Sequence, residues 1–251
     1  MHTGVDLQVY YKLANAPLLP FPFPHLVAEE VFPPAFYARL REHLPPREAM
    51  KSLKELKRVT AGYPDGRYVL PLDAAHLAEL RAPLRDFWGE VARWMLSGAF
   101  ANLMLNKFSD TLHARLGDWT TQQFHHEAML VQDYTAYSLG PHTDGRSKVL
   151  SLLFYLPADA TRPHLGTSLY VPKDVNFRCE GGPHHPYEQF RRVYTTAYRP
   201  NTLFAFPKSD YSFHGVEPNE DGEVRRDLLH YDIMVRNPAA PAAGPAAGNS
   251  R

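Results

Sequence analysis

The pattern of apolar positions changes near residue 120. Before that point, apolar residues recur three and four positions apart, which is the spacing of one face of a helix. This spacing predicts an amphipathic helix within residues 27–44 and a longer helical block over residues 73–116. The first 24 residues end in Leu-Pro-Phe-Pro-Phe-Pro, and because proline disfavours helix we predict an extended segment or coil there.

After residue 120, short runs of β-branched and aromatic residues alternate with Gly, Pro, Asn and Asp. Such runs are typical of antiparallel strands joined by turns. The predicted strands cover residues 128–138, 148–156, 167–171, 191–198, 202–206 and 228–235. Helices followed by strands predict an α+β fold built on a strand barrel or jelly roll, with the N-terminal helices packed on one sheet.

The length of 251 residues suits one domain. We predict a single domain over residues 1–237, with a helical part at about 25–118 and a β-rich core at about 120–236. Residues 238–251 are rich in Pro, Ala and Gly, a composition that predicts a disordered tail.

Charge and cysteine content narrow the range of partners. Lys plus Arg and Asp plus Glu number 27 each, so no net field draws the chain onto nucleic acid or anionic lipid. The single cysteine, Cys179, forms no intramolecular disulfide, which is typical of a reducing compartment. No signal peptide and no apolar run of about 18 residues is visible. We therefore expect a cytoplasmic protein that binds neither nucleic acid nor membrane, and the oligomeric state stays open.

A metal-binding pattern follows one of the predicted strands. In Gly-Pro-His142-Thr-Asp144-Gly, the imidazole and the carboxylate are two residues apart, so in an extended chain both point to the same side. A third ligand must come from elsewhere, and His214 follows the run 202–206. Two histidines and one carboxylate are the ligand set of non-haem iron(II) oxygenases. Arg225, eleven residues after His214, opens the last predicted strand and has the geometry to bind a carboxylate through two hydrogen bonds.

Four blocks, in order, resemble the 2-oxoglutarate/iron(II) dioxygenase superfamily, and most of all its prolyl-4-hydroxylase-like branch and bacterial members of unassigned substrate. The blocks are PHTDGRSKVLSLLFYLP, GTSLY, NTLFAFPKSDYSFHGVEP and RRDLLHYD, and the resemblance spans residues 131–235. It implies a double-stranded β-helix (jelly-roll) core that uses Fe(II), 2-oxoglutarate as co-substrate and O2. The implied reaction hydroxylates a C–H bond of a small-molecule or peptidyl substrate and releases succinate and CO2.

The resemblance also assigns residues. His142, Asp144 and His214 match the metal ligands, and Arg225 matches the catalytic-site residue that binds the far carboxylate of 2-oxoglutarate. Tyr155 falls where related enzymes place a tyrosine hydroxyl on that carboxylate. Val149, Ser151, Leu153 and Tyr155 share one face of an ideal strand, so an inward Tyr155 fits, although a core aromatic fits equally.

One departure from the family pattern leaves open which arginine binds 2-oxoglutarate. The family often has serine or threonine two residues after the arginine, where this chain has Asp227. An inward Asp227 would repel the co-substrate. A register slip of one residue reverses every side chain of a strand, and it would put Arg226 in place of Arg225. We favour Arg225.

The remaining histidines and cations have simpler interpretations. We interpret His125, His126, His184 and His185 as loop histidines rather than metal ligands, because adjacent residues of a strand face opposite ways. Arg146 and Lys148 are interpreted as part of a solvated strand end, with contact to an anionic substrate at the mouth of the pocket as the alternative. Two alternatives to the oxygenase stay open: a jelly-roll binding or sensor module that holds a metal without turnover, and a zinc hydrolase that uses the same ligands.

Overall fold

The computed structural model describes residues 4–60, 62–135, 137–219 and 221–236. The predicted disordered tail, residues 238–251, lies outside the described residues. Within the described ranges, no helix combines the length and the apolar character that crossing a membrane requires.

Six α-helices are described, all in the first half of the chain. They are α1 (Val5–Asn15), α2 (Pro34–Glu42), α3 (Ala74–Ala78), α4 (Ala82–Met95), α5 (Gly98–Lys107) and α6 (Ser109–Leu116). Short 3-10 helices occupy Arg47–Ala49, Trp119–Thr121, Pro163–Leu165 and Tyr187–Gln189. The helical block predicted over residues 73–116 is confirmed, although it consists of four helices rather than one.

One prediction for the N-terminal segment is wrong, and a second is confirmed only in part. Val5–Asn15 is helix rather than coil, because Val9 and Leu13 lie on one face and are fully buried; the helix ends before Pro17, since the residue before a proline disfavours helix. The helix predicted within 27–44 is confirmed over Pro34–Glu42, but its predicted start is too early, because the preceding His25–Ala28 forms a strand that pairs with a distant strand.

Twelve strands are described, and every pairing between them is antiparallel. They are β1 (Leu18–Leu19), β2 (His25–Ala28), β3 (Lys51–Ser52), β4 (Arg67–Pro71), β5 (Phe124–Tyr134), β6 (Leu139–His142), β7 (Lys148–Tyr155), β8 (Ser168–Pro172), β9 (Phe190–Thr195), β10 (Thr202–Pro207), β11 (His214–Val216) and β12 (Arg225–Val235). They form an eight-stranded sheet in the order β1-β2-β10-β7-β12-β5-β4-β3 and a four-stranded sheet in the order β6-β11-β8-β9.

The mixed helix-and-sheet class is confirmed, and the order of strands is consistent with the predicted jelly roll. From β5 onwards the chain passes back and forth between the two sheets, with β5, β7, β10 and β12 in the large sheet and β6, β8, β9 and β11 in the small one. Hydrophobic residues of the helices share one buried cluster with one face of the large sheet, which we call the outer face. The opposite face, the inner face, belongs to a second cluster with residues of the small sheet.

Strand β7 shows why the two faces differ. Leu150, Leu152 and Phe154 point to the outer face and are almost completely buried among the helices. Ser151, Leu153 and Tyr155 point inward. Val149 was predicted to share that inner face, and this is wrong: the register between β7 and β12 shifts between Ile233 and Met234, and Val149 joins the outer cluster.

Candidate metal centre

His142, Asp144 and His214 converge on one point. His142 ends β6 and lies directly opposite His214 at the start of β11. One ligand atom from each of the three residues lies within 4.8 Å of the other two, and His214 Nε2 is 3.8 Å from Asp144 Oδ1. Both histidines are 8% exposed, so the group is held inside the protein rather than on its surface.

Local hydrogen bonds orient the three side chains toward that point. The Nδ1 atoms of His142 and His214 lie 3.0 Å from the carbonyl oxygens of Gly140 and Ser212. Because a carbonyl only accepts, each Nδ1 carries the proton and each Nε2 keeps a free lone pair, the arrangement found in metal-binding histidines. Ser151 Oγ donates to Asp144 Oδ2 at 2.7 Å, which leaves Oδ1 to face the imidazoles.

The electrostatic environment keeps these groups in the protonation state that a metal requires. Burial lowers the pKa of His142 well below its usual value, and the neighbouring His214 lowers it further. Burial also lowers the pKa of His214, against the opposing effect of Asp144. Burial would raise the pKa of Asp144, but Lys148 and the two neighbouring histidines together outweigh it, and the pKa falls to about 2. Two neutral imidazoles and a carboxylate are the metal-binding forms.

The triad opens into a cavity of about 950 Å³ between the two sheets. The wall contains residues from the inner face of the large sheet, from the small sheet, and from the loops 53–63 and 182–184. His184 lies in this wall, and its ring centroid is 4.9 Å from that of His142. It is not among the residues whose ligand atoms converge, in keeping with its interpretation as a loop histidine.

The structure places Arg226, and not Arg225, in this cavity. Arg226 is 3% exposed and lines the wall, whereas the Arg225 side chain is 41% exposed and lines a separate surface pocket. The expectation that Arg225 points inward is therefore wrong. Asp227 would repel an anion if it pointed inward, but its side chain also faces away from the cavity and pairs with Arg225 and Arg41. Strand alternation places Arg226, Leu228, His230 and Asp232 on the inner face.

Arg226 belongs to a buried network of two cations and one anion. Its Nη1 donates to Asp133 at 2.8 Å and its Nη2 to Thr167 at 3.3 Å. Arg67 donates to the same Asp133 carboxylate at 2.6 and 2.8 Å. The Nε of Arg226 is buried and has no hydrogen-bond partner among the described residues. One carboxylate for two guanidinium groups leaves one positive charge without a partner at this end of the cavity.

Tyr155 lies on the inner face, but its hydroxyl is occupied. The residue is fully buried, and its hydroxyl donates to Thr167 Oγ1 and accepts from the Thr167 N–H, both at 3.0 Å. Its ring centroid is 5.6 Å from the Arg226 guanidinium. Thr167 lines the cavity and Tyr155 does not, so Tyr155 contributes to the wall only through its hydrogen bonds to Thr167.

Sequence reasoning missed several cavity residues. For Lys148 we favoured a solvated strand end over contact with a substrate at the pocket mouth, yet Lys148 lines the cavity and its Nζ lies 2.8 Å from the Asp232 carboxylate. Glu127 and Arg58 form a second ion pair in the same wall. If Arg226 had been taken as the inward residue, the alternation of side chains along β12 would have placed Asp232 on the inner face as well. The shift of register near Val149 carries no signal in the sequence, and without it Lys148 would not be placed inward.

Comparisons with known proteins give a likeness in fold. No protein-family model matches the sequence, and no curated protein matches it. Among solved structures, a prolyl-4-hydroxylase of Pseudomonas putida superposes with a TM-score of 0.50 at 15% identity, covering 91% of this chain and 98% of that one. A prolyl hydroxylase of Trichoplax adhaerens, in complex with a hypoxia inducible factor oxygen degradation domain peptide fragment, also gives 0.50, at 11% identity, covering 91% and 88%. The chain has the fold of these prolyl hydroxylases.

Proposed function

We propose that this protein is an Fe(II)- and 2-oxoglutarate-dependent oxygenase that hydroxylates a C–H bond of its substrate. The observation that carries the proposal is one cavity that contains both the converging His142, Asp144 and His214 and the buried Arg226 with a charge left over. The fold shared with two prolyl hydroxylases supports it. In this proposal the two sheets form the double-stranded β-helix typical of such enzymes.

The triad fits iron(II). The metal would be held by Nε2 of His142, Nε2 of His214 and Oδ1 of Asp144. Nitrogen and carboxylate ligands of this kind, on one side of the ion, leave positions for a co-substrate and for dioxygen. Bound iron would supply the activation of dioxygen that accompanies conversion of 2-oxoglutarate to succinate and CO2, and the chain's own residues would position the reactants and shield them from water.

Arg226 fits the far carboxylate of 2-oxoglutarate. Arg226 lines the cavity, its buried Nε has no hydrogen-bond partner among the described residues, and a guanidinium matches a carboxylate with two parallel hydrogen bonds. The positive charge left over by the pairing of Arg226 and Arg67 with Asp133 would be balanced by that carboxylate. Thr167 and Tyr155 fix Arg226 from the other side. Arg225, exposed and paired with Asp227, has no such role in this proposal.

The test is an anaerobic titration of the protein with Fe(II) and 2-oxoglutarate. We expect the weak visible absorption band of the iron–2-oxoglutarate chelate, and formation of succinate after dioxygen is admitted. If the protein binds no iron, or if the band is absent, the proposal is wrong. A band without succinate would instead favour a metal-binding module that does not turn over.

A further inference from the structure

The inner face carries a row of polar residues at the level of the triad. Asp232 of β12 lies directly opposite Glu127 of β5 on one side and Ser151 of β7 on the other. All three line the cavity, and Ser151 donates to Asp144. We call Glu127, Asp232 and Ser151 the metal-level row.

The packing of the sheet does not explain this row. Along β12 toward Arg226, the following two rows of the inner face are mainly apolar, with Met129, Val131, Leu153 and Leu228. Apolar side chains therefore fill the same face well elsewhere. Burying a charged group such as Asp232 costs free energy even when it is paired, and a polar ligand beside the triad would use this carboxylate together with its partly exposed neighbours.

Each acid of the row is paired with a cation that also faces the cavity. Lys148 Nζ lies 2.8 Å from the Asp232 carboxylate, and Arg58 pairs with Glu127. Asp232 is almost completely buried, but the side chains of Arg58, Glu127 and Lys148 stay 33%, 29% and 22% exposed. The wall thus offers a carboxylate acceptor and two sets of N–H donors side by side. A hydroxyl group both donates and accepts, so it can bind to both members of such a pair.

The charges in the cavity cancel. Among the described residues, the charged side chains of the wall and their partner Asp133 comprise four cations and four anions: Arg58, Arg67, Lys148, Arg226, and Glu127, Asp133, Asp144, Asp232. A divalent metal and a doubly charged co-substrate would also cancel. A substrate with a net charge would then lie in a partly desolvated cavity without a counterion, which is unfavourable.

The loops around the cavity favour a compact ligand over a chain. Tyr63 from the loop before β4 contacts His184 from the loop before β9, with ring centroids 6.0 Å apart. The Tyr63 hydroxyl is also 2.9 Å from that of Tyr137. An extended peptide needs a continuous open groove, whereas loops that meet beside the cavity leave a volume suited to a small molecule.

We propose that the metal-level row, with Lys148 and Arg58, binds a neutral, hydroxyl-rich small molecule of the sugar or cyclitol class as the substrate. This inference rests on the proposed function. It specifies the substrate side of the cavity, whereas Arg226 serves the co-substrate.

The test is ligand-observed saturation-transfer NMR on the protein with Zn(II), as a diamagnetic metal, and 2-oxoglutarate. The probes are methyl hexopyranosides, inositols and a disaccharide, together with gluconate, glucosamine, cyclohexylmethanol and a blocked prolyl tripeptide. We expect at least one neutral polyol to bind about tenfold more tightly than its charged analogues. Strongest binding of a charged, apolar or peptide probe, or no transfer to any neutral polyol, would overturn the inference.

A conservative substitution tests the charge argument. Glu127→Gln keeps the volume of the side chain but leaves Arg58 as an uncompensated cation, so gluconate should gain at least severalfold in affinity relative to the neutral probes. The matched control is Glu79→Gln, which alters an exposed ion pair with Lys51 on the surface and should leave the order of affinities unchanged. An unchanged order in Glu127→Gln would also overturn the inference.

The two proposals fail in different ways. An intact iron–2-oxoglutarate band without binding of any neutral polyol would contradict only the substrate class. Binding of a neutral polyol that weakens in Glu127→Gln, in a protein that gives no band, would retain the polar subsite and contradict the oxygenase.

Discussion

The two faces of the eight-stranded sheet differ although the same strands build both. On the outer face, Leu150, Leu152 and Phe154 of β7 lie in the hydrophobic cluster that also contains the buried residues of the helices. On the inner face, polar rows at either end enclose apolar rows: one polar row lies beside the triad, and the other contains Arg226. The helices stabilise the sheet from one side, so the other side can carry charged groups that add little to stability.

The largest expected difference is in Fe(II) affinity, between variants of two histidines that both line the cavity. His214→Ala removes one of three converging ligands, so we expect Fe(II) affinity to fall by more than about 100-fold, since even the outer partners of metal ligands contribute 10–100-fold. His184→Ala, in the same wall but outside the converging set, should keep its iron. Anaerobic iron titration measures both. Loss of iron in both variants would mean that the metal lies elsewhere in the cavity.

Arg226 and Arg225 are neighbours on opposite faces of β12. Arg226→Ala should raise the 2-oxoglutarate concentration needed for half of the chelate band by roughly 30-fold or more, because truncating a buried charged partner costs about 2–5 kcal/mol. Arg225→Ala should change it by less than about twofold, as expected for an exposed ion pair. Circular dichroism checks that both variants fold. Equal effects would contradict the placement of Arg226 as the anchor.

Leu152 and Leu153 are adjacent in β7 but point to opposite faces of the sheet, so their substitution should change the free energy of unfolding by different amounts. Leu152 is fully buried on the outer face, so Leu152→Ala should cost about 2–5 kcal/mol in the free energy of unfolding. Leu153 is only partly buried and lines the cavity, so Leu153→Ala should cost less than half as much. Urea denaturation gives both values, and Leu152→Ala should still bind iron. A larger cost at Leu153 would reverse our view of which face stabilises the sheet.

Ser151 tests how tightly the inner face holds the carboxylate ligand. Ser151→Ala removes the hydrogen bond to Asp144 Oδ2 and frees that carboxylate to rotate. We expect iron affinity to fall by about tenfold, in the range for partners of metal ligands. Thr121→Ala, a hydroxyl far along the chain that bonds only to its own turn, serves as the control. An unchanged affinity in Ser151→Ala would show that Lys148 and the histidines alone fix Asp144.

The smallest expected effect is on the acid stability of the metal-free protein. Burial lowers the pKa of His142 and His214 in the folded state, so below pH 6.5 the unfolded chain binds more protons than the folded one. The free energy of unfolding should therefore fall as pH drops below 6.5, by at most about 1.4 kcal/mol per pH unit for each histidine. The double variant H142Q/H214Q should flatten this slope. An equal slope would place the acid sensitivity outside the triad.

Much of the fold followed from local patterns. Helical spacing located the block over residues 73–116, and alternation with turn residues located most of the strands, because both signals repeat within a few residues. The N-terminal errors arose where tertiary contacts decide. Val27 lies in a helical pattern, but pairing of its strand with β10 outweighs that preference. Val5–Asn15 is stabilised as a helix by the burial of Val9 and Leu13.

In the candidate site, too, some features follow from the local sequence and others depend on tertiary contacts. Local chain geometry places His142 and Asp144 on one side, since residues two apart on an extended chain share a face. The sequence also contains His214 and two adjacent arginines as candidates. The position of His214 opposite His142, the entry of Arg226 rather than Arg225 into the cavity, and the inward side chain of Lys148 follow from contacts between distant strands. The physical reason is register: one residue of shift reverses every side chain of a strand, and register is set by pairing with distant strands.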